Sequence, residues 1–101
     1  FDLINKRYIL FRQNGKVGLM DLNLNVIIDA LYTSIMQQDH FFIVSSESGN
    51  ALVDRSGAQI VPSNSWFIYS IDLNYLGVID EISGAIIQYV DKKSGAVINK
   101  P

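Results

Sequence analysis

The chain has 101 residues, 49% of them apolar and 18% charged, which is enough to bury one core, too short for two full-sized domains, and unlike a disordered segment. Eight Lys and Arg against ten Asp and Glu leave a net charge of −2, so no broad basic field invites nucleic acid or anionic lipid. The absence of cysteine excludes disulfides, thiolate catalysis and cysteine-ligated zinc or iron–sulfur clusters.

Along the chain, short runs rich in Val, Ile and Leu between turn residues predict strands at 7–12, 16–22 and 25–29. Between Ala30 and Gln38 the spacing of Leu31, Ile35 and Gln38 places them on one helical face, so one or two helical turns are expected there. Strands resume at 40–46, 50–54 and 58–61, then at 66–72, 75–80, 85–90 and 96–98. The longest apolar runs, Tyr8 to Phe11 and Phe41 to Val44, fall far short of the roughly 18 residues of a membrane span. The expected class is all-β: one antiparallel domain arranged as a meander, an open barrel or a solenoid. Because the chain opens on Phe1 and Asp2 rather than Met, it reads as a piece excised from a longer protein, and its compartment is not legible.

The strands repeat. A shift of 33 positions lays Ile9-Leu10-Phe11 on Phe42-Ile43-Val44, Gly18-Leu19-Met20-Asp21 on Ala51-Leu52-Val53-Asp54, and Ile27-Ile28 on Ile60-Val61. A further shift of 26 brings Gly77-Val78-Ile79-Asp80 onto Ala51-Leu52-Val53-Asp54, and a partial copy follows around Val90-Asp91 and Ser94-Gly95-Ala96. The implied repeats span about 8–39, 40–65 and 66–88, with a fragment at 89–101. Each unit is a hairpin in which Asp21, Asp54, Asp80 or Asp91 accepts backbone N–H groups just ahead of it. Gly57, Gly84 and Gly95 supply the left-handed residue that closes the turn. In the first unit Leu24 stands where that glycine belongs, so Asn23 or Asn25 is expected to take the left-handed position.

Two stretches carry a resemblance: Asn14-Gly15-Lys16-Val17-Gly18-Leu19-Met20-Asp21 with Val26-Ile27-Ile28 and Tyr32, and Leu52-Val53-Asp54-Arg55-Ser56-Gly57-Ala58-Gln59-Ile60-Val61-Pro62. They resemble the WG (KWG) repeats of bacterial proteins, over about residues 8–98. The signature itself is degenerate, with Val17, Asn50 and Leu76 in place of the tryptophan and Ala51 in place of one glycine. The resemblance implies a non-catalytic β-repeat module, structural or bound to a protein partner or to the rest of its parent chain.

The residues themselves offer little chemistry. His40, the sole histidine, has Asp39 before it and Ser45 and Ser46 nearby, but neighbours on a strand point to opposite faces and no nucleophile elbow is present, so no catalytic residue is assigned. One histidine and no cysteine leave no zinc ligand set, and the turn aspartates form no calcium loop, so no metal site is expected. Singly scattered glycines make no phosphate-binding loop, and no cofactor is expected. Lys6-Arg7 and Lys92-Lys93 read as solvated hairpin tips rather than a nucleic-acid surface. The positive hint is aromatic: Trp66, Phe67, Tyr69 and Tyr75 gather within ten residues as a candidate binding face. Such a face suits a protein partner, or alternatively a glycan gripped around Trp66.

Overall fold

A computed structural model describes residues 2–4, 6–64 and 66–99, with the backbone alone at Asp2, Ile4, Ser63 and Asn64. The chain is all-β and antiparallel. Strands β1 (Asp2–Ile4), β2 (Tyr8–Gln13), β3 (Lys16–Asp21) and β4 (Val26–Tyr32) form the first sheet in chain order. The second contains β5 (Ser34–Gln38), β6 (Phe41–Ser46), β7 (Gly49–Asp54) and β8 (Gln59–Asn64). The third contains β9 (Phe67–Ser70), β10 (Tyr75–Ile79), β11 (Ile86–Asp91) and β12 (Val97–Asn99). Each is an open four-stranded meander, and among the described residues no closed barrel forms. Strands β2 and β3 recur as β6 and β7 at the spacing of 33 residues.

Two expectations are corrected. No helical turn forms between Ala30 and Gln38, where β4 ends and β5 begins. Leu31 is 64% exposed and Ile35 is buried, so the three residues share no face, and β5 instead satisfies its backbone by pairing with β6, from Ser34 opposite Ser45 to Gln38 opposite Phe41. In the first turn it is Leu24 itself, at φ 68°, that takes the left-handed conformation, not either asparagine. The backbone closure explains why: Leu24 N–H donates to the Asp21 carbonyl at 3.1 Å, as Gly57 N–H does to Asp54. The geometry belongs to the position, whatever residue holds it.

The four turns share one device. Asp21 Oδ1 accepts from the N–H of Asn23 (2.9 Å) and Asn25 (3.0 Å), and Asp54 Oδ1 from Ser56 (2.9 Å) and Ala58 (3.0 Å). Asp80 Oδ1 accepts from Ile82 (2.8 Å) and Ser83 (3.1 Å), and Asp91 Oδ1 from Lys93 (2.8 Å) and Ser94 (3.0 Å). These donors hold all four carboxyls below the usual carboxylate range; at Asp54 the largest contribution is the Ser56 hydroxyl, at 2.6 Å. Gly57, Gly84 and Gly95 have φ of 93°, 73° and 75°. Gly57 is constrained twice, since a Cβ there would meet the Ile27 carbonyl oxygen of the first sheet.

The sheets stack in chain order, and each has a forward face toward its successor and a rear face. The forward face of the first sheet presents Val17, Leu19 and Ile28, flanked by Tyr8 and Leu10, to Phe42, Val44, Ala51 and Val53 on the rear of the second. Tyr8 meets Phe42 edge-to-face there, with ring centroids 5.1 Å apart. The forward face of the second sheet places Phe41, Ile43, Leu52 and Val61 against Ile68, Leu76, Val78 and Val90 of the third. The middle sheet is therefore apolar on both faces, and at about 25 cal/mol per Å² these two layers supply the main folding drive.

The third sheet departs from the repeat in its Asp turn, which is one residue longer from Asp80 to Ala85 than from Asp54 to Ala58, and in its first hairpin. Six residues separate the paired Val44 and Ala51, but five separate the equivalent pair Ser70 and Leu76. Losing one residue from the hairpin turns β10 over. Val78, matched by motif to Leu52, thus faces back into the second core, and Gly77 takes the forward position.

Candidate interaction face

Strand alternation decides which aromatic side chains reach the open forward face of the third sheet. Phe67 and Tyr69 pair with Ile79 and Gly77, opposite in sense to the buried Ile68 and Val78, and they are 41% and 54% exposed. Their rings lie 6.0 Å apart, tilted by 39°. Tyr75 and Tyr89 share this face and meet edge-to-face at 6.0 Å, while Ile98 lies beside Tyr89. Ile71 folds over Gly77 so closely that a Cβ on that glycine would strike the isoleucine side chain. The surface continues round the β9 edge into a cleft of about 180 Å³ lined by Met36, Ile43, Phe67, Ile68 and Tyr69 together with the polar Ser45 and Asn50.

Trp66 does not belong to that face. One residue before Phe67, it packs half-buried against the second core, and its carbonyl accepts from Asn50 Nδ2 at 2.9 Å. The four aromatics singled out by sequence are thus divided, with Phe67, Tyr69 and Tyr75 on the open side and Trp66 on the covered side. Sequence reasoning missed Tyr89, Ile71 and Ile98, which reach the face from β11, the β9–β10 loop and β12. The pairing of β10 with β11 is what could have found Tyr89, which stands opposite Gly77.

The polar candidates fall elsewhere. His40 is exposed in the turn before β6, whereas Ser45 lies near the far end of that strand, about 16 Å away at the rise of a β-strand. The Ser45 hydroxyl donates to Asn50 Oδ1 at 2.7 Å, so no nucleophile, base and carboxylate meet. Asp39 instead pairs with Lys92 at 3.2 Å, and its carboxyl is held below the usual range first by the Gln38 amide and then by Lys92. Lys92 Nζ also donates to Ser70 Oγ (2.7 Å) and the Asp72 carbonyl (2.5 Å), clamping the third sheet to the second. Beside this clamp lies an open cleft of about 300 Å³ whose lining includes His40, Arg55 and Lys93 as well as Phe41, Ile60 and Gly95. Among the described residues no group of three or more His, Asp or Glu gathers at one point, and no helix is long and apolar enough to cross a membrane.

No protein-family model matches the chain, and no significant match was found among curated proteins or solved structures.

Proposed function

We propose that this chain is a non-catalytic repeat module, a degenerate member of the WG repeat family, that acts by presenting the forward face of its third sheet to another protein. The observation that carries the reading is the contiguous apolar surface of Phe67, Tyr69, Ile71, Tyr75, Tyr89 and Ile98, with the first three each at least 40% exposed. Aromatic rings with polar tips bury large area at small entropic cost, which is how interface hot spots are built. The candidate catalytic groups, by contrast, are dispersed or held in structural bonds.

The test is capture of proteins from a source lysate on immobilised wild-type chain and on Tyr69→Lys, with bound proteins identified by mass spectrometry. Tyr69 is more than half exposed, so its replacement leaves the fold and thermal midpoint unchanged. Specific capture by the wild type that is lost with Tyr69→Lys supports the reading. Identical capture by both forms, or none by either, overturns it in favour of an architectural spacer.

A further inference from the structure

The two covered interfaces follow one rule: a forward face seats a rear face. The outer sheets leave one of each kind open. On the forward side, Phe67, Tyr69, Gly77 and Tyr89 occupy the positions that Phe41, Ile43, Leu52 and Val61 hold in the middle sheet. On the rear side, Ile9, Phe11, Gly18 and Met20 of the first sheet occupy the positions of Phe42, Val44, Ala51 and Val53. The middle sheet buries all four of those rear residues to 3% exposure or less.

Both open faces are apolar at their centre, with polar residues only toward the strand ends, Gln13 and Lys16 on the rear face and Asp91 opposite Tyr75 on the forward face, rather than across the face as in a terminal capping repeat. The rear face extends apolar to its edges, with Leu3 opposite Ile9 and Val26 opposite Met20, at 60% and 54% exposure. Each open face also holds a glycine with a neighbouring side chain laid across it. Phe11 lies over Gly18 at 2.6 Å from where a Cβ would stand, and Ile71 lies over Gly77. The two faces therefore match the two halves of an interface already formed twice within the chain.

We infer that two copies of this chain associate head to tail, the forward face of the third sheet in one copy seating the rear face of the first sheet in the other. This rests on the reading of the forward face as a docking surface and names its occupant. Like-to-like pairing of two forward faces is disfavoured by the internal precedent, where both interfaces join unlike faces. A heterologous contact of this kind either closes into a ring or continues as an open series, according to the rotation between sheets.

The test is sedimentation velocity from about 10 μM to about 1 mM on the wild type, on Tyr69→Lys for the forward face, on the double variant Leu3→Lys/Val26→Lys for the rear face, and on an equimolar mixture of the two variants. All three substituted positions are more than half exposed, and unchanged circular dichroism verifies the fold of each variant. The expected result is a wild-type weight-average mass rising to at least twice 11.3 kDa, monomers for each variant alone, and restored dimer in the mixture, where one intact forward face meets one intact rear face. Wild-type monomer throughout overturns the inference, as does a rear-face variant that still dimerises, which would reveal like-to-like pairing. Monomeric wild type that nonetheless captures another protein through Tyr69 would refute this occupant while leaving the docking face standing.

Discussion

The middle sheet and its two neighbours are made from the same repeat, yet they meet solvent differently. Phe42 and Ile43 of the middle sheet are buried, whereas Ile9 and Tyr69, their respective counterparts on the outer sheets, stand on open faces. The side chains at these positions are apolar in all three sheets. What distinguishes core from surface here is the presence of a neighbour, and the same alternation serves both.

Four measurements would break or sharpen that contrast. The largest effect is expected in the middle sheet: Phe42→Ala should cost about 3–5 kcal/mol in urea unfolding, and Ile9→Ala, its counterpart on the open rear face, about 1 kcal/mol. Equal costs would mean that the outer face is covered. Next come the turn glycines. Gly57→Ala, which combines φ of 93° with a collision against the Ile27 carbonyl, should lose about 2–3 kcal/mol, while Gly84→Ala, with open space around it, should lose about 1 kcal/mol.

The turn carboxylates act together and individually less. Each has a folded pKa below its unfolded value, so their stabilisation is fully present above the unfolded carboxylate value of about 4 and is lost as pH falls through the lower folded values. An acid titration of the thermal midpoint should fall more steeply below about pH 4 for the wild type than for Asp54→Asn. The smallest effect should be a gain: Leu24→Gly relieves a left-handed leucine and should stabilise the chain by about 0.5 kcal/mol, net of the freedom glycine adds to the unfolded state. A loss there would mean that the Leu24 side chain contributes more than its backbone costs.

Most of the strand pattern was legible because it rests on local chemistry. Period-two apolar runs and the Asp-to-Gly turns located ten of the twelve strands found among the described residues. The two that escaped, β1 and β5, are short sheet edges; β5 places only Ile35 in the core, and its spacing with the exposed Leu31 imitates a helix. The candidate face was half legible. The alternation separating Trp66 from Phe67 can be read in one strand, but which side lies open depends on the stacking of whole sheets, and Tyr89 joins the face only through the register of β10 with β11. The left-handed Leu24 was hidden for a related reason, since a closed backbone ring dictated the geometry and composition did not reveal it.

The hairpin between β9 and β10 is equivalent to a single-codon deletion relative to its counterpart, and such a change ordinarily exchanges the inside of a strand for its outside. Here the exchange is harmless, because β10 is apolar in either reading, with Leu76 and Val78 on one side and Tyr75, Gly77 and Ile79 on the other. A strand of this composition is indifferent to parity. Arrays built from it can gain or lose single residues in their loops and keep their architecture while rewriting which side chains they show, which gives such repeats a short mutational path from one surface to another.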